Sequence, residues 1–247
     1  MQLLHQTISK LKGFKEWFDT LTLHESQLVL GLSGSVKHLA ESCAFEKLDK
    51  QLVIVTPTLL QATQTYEELS EWYDDEVIHL FPVEESLAAD FSVVSPDVVS
   101  QRIRTLDFLS RGEKGIVIVP LSGIQKLLVP AAVWKKSSIE LAMGSEIESM
   151  DAFVEQLVEL GYRRENMVAT PGEFALRGSI VDIYPLDQEY PLRLDFFDTE
   201  VDSIRAFNAE TQRSMDVINE VRILPATDLP LQKAAVWKAQ AKIHALY

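Results

Sequence analysis

Short apolar runs alternate with amphipathic stretches through the first half of the chain, and this alternation limits the possible folds more than any other feature. The apolar runs, which we predict to be strands, lie at residues 27–30, 52–56, 77–81 and 115–119. The amphipathic stretches, which we predict to be helices, begin near residues 35, 58 and 95. Strands that are apolar throughout are typical of parallel sheets buried on both faces. The spacing therefore predicts an α/β domain in which helices cover a parallel sheet.

The pattern changes near residue 128. One helix is expected from about residue 150 to 160, with Gly161 as its end signal, and only strands and turns follow it. These strands are expected at residues 174–177, 179–184, 192–196 and 201–207, the last two joined in a hairpin. We expect residues 126–212 to form a smaller α+β domain inserted into the first domain, which would comprise residues 1–125 and 213–247.

The C-terminal residues are expected to complete the first domain. Residues 217–224 are predicted to form a strand that returns to the first sheet, and residues 231–247 an amphipathic helix. That helix reaches the last residue without a Gly or Pro end signal. We therefore expect the chain to be part of a longer protein.

The chain is strongly acidic: 23 Lys plus Arg against 37 Asp plus Glu give a formal net charge of −14. Non-specific nucleic-acid binding depends on clustered Lys and Arg, so this balance argues against a surface built to grip phosphates. The single cysteine, Cys43, excludes an intrachain disulfide and favours a reducing compartment, so we expect a cytoplasmic protein. The N-terminus does not resemble a signal peptide, and no segment approaches ~20 uninterrupted apolar residues, so no membrane contact is expected.

Gly31, Gly34 and Lys37 lie in a loop between a predicted strand and a predicted helix, where a phosphate-binding loop belongs. The loop departs from the phosphate-binding pattern at two positions: Val36 replaces a glycine, and His38 replaces the hydroxyl residue that binds Mg²⁺. We interpret it as a degenerate, inactive phosphate loop and expect no catalytic residue, cofactor or metal in this chain. A plain strand-to-helix turn is the alternative interpretation.

Residues 31–35 also resemble the nucleophile elbow of serine hydrolases, but Ser35 stands where that pattern needs its final glycine. None of the five histidines has an acidic partner spaced for an obvious catalytic triad, and neither they nor Cys43 show metal-ligand spacing. We expect His79 and Cys43 to be core residues.

Four side chains in the predicted inserted domain are candidates for binding a protein partner. Arg163 and Arg164 follow the predicted helix end, Arg177 joins two predicted strands, and Tyr184 ends a strand. Arginine and tyrosine are enriched among the residues that dominate protein interfaces, and a guanidinium can pair with a carboxylate through two hydrogen bonds. Each candidate has an ordinary alternative: an exposed ion pair for the arginines and a half-buried core position for Tyr184.

Six segments carry the sequence pattern of one known family: they are residues 95–102, 172–185, 190–198, 202–208, 211–213 and 224–226. On these segments the chain resembles the N-terminal module of bacterial transcription-repair coupling factors, which is homologous to the excision-repair helicase UvrB. The resemblance implies a helicase-like parallel-sheet domain with a degenerate phosphate loop and the smaller inserted domain. Residues 82–94 leave no room for the long hairpin with which UvrB engages damaged DNA.

In this family the inserted domain docks on UvrA, the damage-recognition ATPase. The resemblance places Arg164 and Arg177 on two arginines that UvrB uses for this contact, whereas Ala175 stands at the position of a third. Arg163 matches an arginine that is usual in coupling factors. The resemblance therefore implies a non-catalytic adaptor that recruits UvrA, and with it nucleotide excision repair, to stalled RNA polymerase.

The resemblance also concerns segments that this chain does not contain. It implies that the full-length protein continues into an RNA-polymerase-binding domain and an ATP-dependent DNA translocase, and that a C-terminal domain masks the UvrA-binding surface at rest. Two alternatives stay open for the chain itself: a helicase-like nucleotide hydrolase with an unorthodox loop, and a DNA-binding module. Titration with ATP tests the first, and the salt dependence of a gel shift tests the second.

Overall fold

The computed structural model describes residues 12–21, 26–83 and 95–230. Its fold is mixed α/β, with a three-stranded, a six-stranded and a two-stranded sheet. The described residues form two compact units: the first comprises residues 12–21, 26–83 and 111–126, and the second residues 95–110 and 127–230. The helix predicted at residues 231–247 lies outside the described residues.

The helices and strands are named in chain order. The elements of the N-terminal half are α1 (Lys12–Thr20), α2 (Ser35–Lys47), β1 (Leu52–Thr56), α3 (Leu59–Ser70), β2 (Ile78–Leu80), α4 (Pro96–Arg111), β3 (Ile116–Pro120) and α5 (Leu121–Ile124). Those of the C-terminal half are α6 (Ala131–Lys136), β4 (Ile139–Ala142), α7 (Met150–Glu159), β5 (Arg163–Arg164), β6 (Glu173–Arg177), β7 (Ile180–Ile183), β8 (Leu192–Phe197), β9 (Glu200–Phe207), β10 (Ser214–Ile218) and β11 (Glu220–Ile223). The helices and strands predicted between residues 35 and 207 are present to within a few residues at each end.

The sheet of the first unit is parallel and has the strand order β1-β3-β2, as the alternation of strands and helices predicts. Its central strand β3 is buried along its whole length. One face of the sheet packs on helix α3, and the most deeply buried residues of this core are Ala62, Leu69, Ile78, Ile116 and Ile118. Helix α3 begins after Thr58, whose hydroxyl accepts a hydrogen bond from the main chain of the first turn.

The strand predicted at residues 27–30 is wrong. Within the described residues this segment pairs with no strand, and Leu28 and Leu30 are 84% and 79% exposed. An apolar run becomes a strand only where its backbone finds hydrogen-bonding partners, and this run pairs with neither of the two edge strands, β1 and β2, at which the sheet ends. The degenerate phosphate loop therefore leads into helix α2 without a strand before it.

The six-stranded sheet of the second unit has the order β10-β9-β8-β7-β6-β5 and is antiparallel except for the pair β5–β6. One face, called here the core face, packs on helix α7 through Phe153 and Leu157. The core face comprises Phe174, Leu176, Val181, Ile183, Leu192, Leu194, Phe196, Ile204 and Ala206. The predicted hairpin of residues 192–207 is confirmed, with Asp198 in its turn at a φ of 59°.

Residues 217–224 do lie largely in strands, but the predicted return of this segment to the first sheet is wrong. The chain turns back at residues 208–213, where the side chain of Asn208 accepts a hydrogen bond from the N–H of Thr211, and β10 pairs with β9. Strand β11 then pairs with β4 in the two-stranded sheet. Pairing of β10 with β9 across a short turn costs less chain entropy than pairing with a distant strand. Strand β11 follows β10 after one residue and is thereby held in the second unit as well.

Helix α4 packs within the second unit through ion pairs. Arg102 lies 3.0 Å from a carboxylate oxygen of Asp228, and Arg222 reaches both carboxylate oxygens of Asp107, at 2.9 and 3.1 Å. These contacts group α4 and residues 213–230 with the second unit, whereas the expected domain boundaries assign both to the first. The boundaries, and the insertion into a helicase-like domain, stay predictions.

Candidate protein-binding surface

The six-stranded sheet has a second face, opposite the core face, that carries four arginines. Side chains alternate between the two faces of a strand, and the strand registers align these residues from β5 to β9. This surface, called here the arginine face, includes Arg163, Glu173, Ala175, Arg177, Ile180, Asp182, Arg193, Asp195, Phe197, Ser203 and Arg205. The fold thus brings Arg163 and Arg177, two of the predicted site residues, onto one surface.

Arg163 lies in the edge strand β5, opposite Glu173 of β6. Its guanidinium is 3.6 Å from Glu173 Oε1, and its side chain is 68% exposed. Burial acts to raise the pKa of Glu173, but hydrogen bonds from the N–H groups of Ala169 and Thr170, at 2.9 Å each, and the charge of Arg163 together lower it. Because the main chain already holds this carboxylate, Arg163 keeps most of its surface available to another anion.

Arg177 lies at the end of β6, next to the Gly178 turn that joins β6 to β7. Gly178 has a φ of +63°, a conformation that side chains other than glycine rarely adopt. Arg177 is exposed and donates a hydrogen bond to the carbonyl oxygen of Asn166 at 3.1 Å. A neutral carbonyl does not cancel the charge of the guanidinium, so Arg177 is available to a carboxylate of a partner.

Arg164 is exposed as well but is separated from the other predicted arginines by the fold. It follows Arg163 directly on strand β5, and alternation therefore places it on the opposite side of the sheet. Its predicted role in partner binding stays a prediction.

Tyr184 lies on the arginine face but is half-buried. It packs against a small cluster of Val168, Ala175 and Phe207, and its hydroxyl donates to the carbonyl oxygen of Glu189 at 2.8 Å. Burial, followed by the charge of Glu189, raises the pKa of Tyr184. The geometry matches the core position that the sequence left open as an alternative, and a direct contact with a partner stays a prediction.

The centre of the arginine face is occupied by a buried ion pair. Arg193 donates from Nε and Nη2 to the two carboxylate oxygens of Asp182, at 2.7 and 2.9 Å, and its guanidinium lies 4.6 Å from the centre of the Phe207 ring. Asp182 is 1% exposed, and its hydrogen bonds raise the pKa of Arg193. The pair links β7 to β8 and makes the middle of the surface rigid and nearly neutral.

Phe197 is a candidate that the sequence interpretation did not single out. It is 78% exposed at the hairpin end of the arginine face, whereas its neighbour Phe196 is buried in the core. An aromatic residue at a position where alternation predicts a polar one is the signal that could have identified it. Exposed aromatic rings beside arginines are typical of the residues that dominate interface energetics.

The segment that we interpret as a degenerate phosphate loop, residues 31–38, lies in the first unit. Gly31 and Gly34 have φ values of +84° and +55°, so both require a backbone conformation suited to glycine. Gly34 is the N-cap of helix α2, and no side chain caps that end of the helix.

Carboxylates lie close to the two residues that would contact a phosphate. Lys37 Nζ is 3.7 Å from Glu41 Oε1. His38, at the position of the missing hydroxyl, is buried, with Nδ1 2.9 Å from Glu41 and Nε2 3.6 Å from Glu68. These acidic side chains repel an approaching phosphate and neutralise the lysine that would bind it.

Metal-ligand groups and the side chains of Cys43 and His79 are the other candidates for chemistry that the sequence raised. Within residues 12–21, 26–83 and 95–230, no group of three or more His, Cys, Asp or Glu residues could hold a metal ion. Cys43 is buried, and burial raises the pKa of its thiol; His79 is half-buried in β2, and burial lowers the pKa of its ring. No helix in these same segments is long and apolar enough to cross a membrane.

The chain has clear relatives among known proteins. Residues 139–229 match a family model described as the UvrB interaction domain. The chain is 42% identical over 240 residues to a transcription-repair-coupling factor of Staphylococcus epidermidis strain RP62A, a match that covers 97% of this chain and 20% of that protein. It is 39% identical over 224 residues to a transcription-repair-coupling factor of Bacillus subtilis strain 168, with 90% and 19% coverage.

These matches cover both units of the structure. The chain spans about one fifth of the length of the curated relatives it matches. The segment matched by the family model begins with strand β4 and includes the whole six-stranded sheet, and with it the arginine face. The chain therefore belongs to the N-terminal module of the transcription-repair-coupling factor family and carries a UvrB interaction domain at residues 139–229.

Proposed function

We propose that this chain is a non-catalytic adaptor module that binds UvrA through the arginine face. The observation that carries the proposal is the placement of Arg163, Arg177 and Phe197 on one surface of the six-stranded sheet, all three exposed. The relatives act in transcription-repair coupling, as their name states. We therefore propose that the module recruits UvrA, and with it excision repair, to stalled RNA polymerase.

The charges on the arginine face support an acidic partner. The chain carries 37 acidic residues against 23 basic ones, yet Arg177 bonds to a neutral carbonyl and Arg163 shares a carboxylate that the main chain already holds. Carboxylates of UvrA would form charge-assisted hydrogen bonds with these guanidiniums. Close charge pairs of this kind contribute roughly 1.5–7 kcal/mol in double-mutant cycles.

The sheet beneath the surface supports binding without rearrangement. The arginines project from paired strands, and the Asp182–Arg193 pair fixes β7 to β8 between them. Side chains held on strands lose less conformational freedom on binding than side chains on loops. Phe197 supplies the apolar contact that a purely charged surface would lack.

We also propose that the first unit is a helicase-like domain that has lost nucleotide hydrolysis. Lys37 is paired with Glu41, and His38 replaces the hydroxyl that would hold Mg²⁺. Calorimetric titration with millimolar ATP and Mg²⁺ should release no binding heat. Saturable heat, or phosphate release by the purified chain, would contradict this part of the proposal.

The other functions of the full-length protein are proposed for segments that this chain does not contain, since it spans about one fifth of the length of its relatives. Contacts with RNA polymerase and DNA, and ATP-driven translocation, belong to those segments in the proposal. A C-terminal domain of the longer protein covers the arginine face until UvrA is needed. We propose that the protein and these partners are located in the cytoplasm.

Reversing the charge of Arg177 tests the proposed site directly. Arg177→Glu should abolish capture of the chain by purified UvrA, because it places a carboxylate against the acidic groups that Arg177 would meet. The circular dichroism spectrum and Tm should stay unchanged, since the side chain is exposed and its hydrogen bond is to a single carbonyl.

The matched control is Lys135→Glu, which makes the same change in net charge at an exposed position of α6, outside the six-stranded sheet. It should bind UvrA as the unmodified chain does. Undiminished binding by a folded Arg177→Glu variant would remove Arg177 from the site.

A further inference from the structure

Arg193 and Arg205 are directly opposite each other on the adjacent strands β8 and β9. Like charges in this position destabilise an antiparallel pair. Arg193 is compensated from its other side, where both carboxylate oxygens of Asp182 accept its hydrogen bonds. Asp182 is thereby fully engaged, so the charge of Arg205 remains uncompensated in this row.

Arg205 has no anion of its own in the described part of the chain. It is exposed, and among residues 12–21, 26–83 and 95–230 its side chain makes no hydrogen bond or ion pair. Its neighbour on β10 is Val217, an apolar residue that is 61% exposed. The nearest carboxylate across the strand pair belongs to Asp195, which is opposite Ser203 and therefore only a diagonal neighbour.

Two exposed arginines lie on either side of the Asp182–Arg193 pair, on different strands. Arg177 lies on β6 and Arg205 on β9, three strand spacings apart across the sheet, or roughly 15 Å. Asp182, Arg193 and Arg205 share one row across the strands, whereas Arg177 is opposite Ile180 and so lies one row nearer the hairpin end. Phe197 is exposed at that hairpin end, and Val217 is exposed beyond Arg205.

We propose that the UvrA-binding surface extends across the full width of the arginine face and that Arg205 is a contact residue on its far side. Arg205 meets a carboxylate of the partner, which relieves the repulsion between Arg205 and Arg193. This inference rests on the proposed binding of UvrA and adds to it the position and charge of a second contact region. Arg164, on the other side of the sheet, is replaced by Arg205 as the third exposed cation of the surface.

The variant Arg205→Glu distinguishes a role in binding from a role in folding, because the affinity for UvrA should fall while the thermal stability should rise. A glutamate at this position faces Arg193 across the strand pair, which converts a like-charge pair into an opposite-charge pair and should raise the Tm. The same change should weaken binding of the whole chain to immobilised UvrA at least tenfold. The neutral variant Arg205→Gln should give an intermediate loss of affinity.

Two comparisons complete the test. Lys135→Glu controls for the change in net charge and should leave affinity unchanged. If Arg177→Glu weakens binding but Arg205→Glu does not, the extended surface is refuted while the proposed function stands. If neither variant weakens binding, the proposed function itself fails. Weaker binding together with a lower Tm would show that Arg205 supports the fold, and would also refute its role as a contact.

Discussion

Two carboxylates of the second unit have pKa values shifted in opposite directions. Main-chain hydrogen bonds and Arg163 lower the pKa of Glu173, against the effect of burial. Burial raises the pKa of Asp187, and its Oδ1 is buried without a hydrogen-bond partner within the described residues, although the charge of Arg104 acts to lower the pKa. The two side chains should therefore give the fold opposite dependences on pH.

Glu173 should stabilise the fold when it is charged. Its pKa is lower in the folded state than in the unfolded state, so the stabilisation is present above the unfolded pKa and is lost as the pH falls through the folded pKa. Glu173→Gln should reduce the free energy of unfolding by about 1–2 kcal/mol at pH 7. Urea denaturation at pH 7 and pH 3 checks this, since the difference from the unmodified chain should be smaller at pH 3, where the carboxylate is partly protonated. If the variant and the unmodified chain differed by the same free energy of unfolding at both pH values, the charge of Glu173 would not be the source of the stabilisation.

Asp187 should destabilise the fold when it is charged. Its folded-state pKa is raised, so its favourable contribution is present below the unfolded pKa and is lost as the pH rises through the folded pKa. Asp187→Asn should therefore raise the Tm at pH 7 by about 2–4 °C, with a smaller gain at pH 4. Thermal scans at both pH values test this. Glu210→Gln, at an exposed position, should change the Tm at neither pH.

At the scale of elements, the end of helix α7 depends on Gly161. This residue has a φ of +92°, and a Cβ at its position would come within 2.8 Å of Thr227 Cγ2. The residues after Gly161 return into the core, where Tyr162 is buried and its hydroxyl donates to the carbonyl oxygen of Leu224 at 2.8 Å. Both the helix end and the packing of the 224–227 segment therefore require a residue without a side chain.

Gly161→Ala should reduce the free energy of unfolding by about 1–3 kcal/mol, because it adds backbone strain to a steric clash. Gly178→Ala is the matched comparison: its φ is +63°, but a Cβ there meets no atom within 4 Å. Chemical denaturation of both variants should show the larger loss at Gly161. Equal losses would mean that backbone conformation alone, and not the contact with Thr227, decides the cost.

At the scale of the whole molecule, the second unit is built from separate parts of the chain. Helix α4 joins it through the Arg102–Asp228 and Asp107–Arg222 pairs, and β11 pairs with β4. A fragment of residues 126–212 keeps the residues that form the arginine face but loses α4, β10 and β11. The surface proposed for UvrA binding therefore depends on segments that lie outside the expected inserted domain.

A fragment in which a Gly/Ser linker joins residues 95–110 directly to residues 127–230, so that β3 of the first unit is left out, should be more stable than a fragment of residues 126–212. The shorter fragment lacks Ile223, which is fully buried in the core of the unit, and this loss alone removes roughly 1.5–3 kcal/mol of burial. It also leaves β4 without its strand partner. Circular dichroism melts should show a lower Tm and a broader transition for residues 126–212. Equal Tm values for the two fragments would indicate that α4 and β11 contribute little to the stability of the second unit.

The strands and helices between residues 35 and 207 could be predicted from local sequence patterns. An apolar run or an amphipathic period is visible in the sequence whichever segment the element later packs against. The hairpin at residues 192–207 and the end of helix α7 at Gly161 were predictable for this reason. The absence of a strand at residues 27–30 and the pairing of residues 217–224 outside the first sheet were not, because apolar content cannot reveal which strand edge a segment will pair with. Phe197 was missed because exposure depends on which face of the sheet the core covers.

The sequence by itself determined the family and the parallel sheet of the first unit, and it named Arg163 and Arg177 as candidates for partner binding, since each is a matter of residue identity and spacing. Only the tertiary structure decided which side chains share a surface. The period of two along a strand separates Arg163 from Arg164, and strand register brings Arg205 opposite Arg193. Register arises from pairing between distant segments, and for that reason it cannot be read from any one of them.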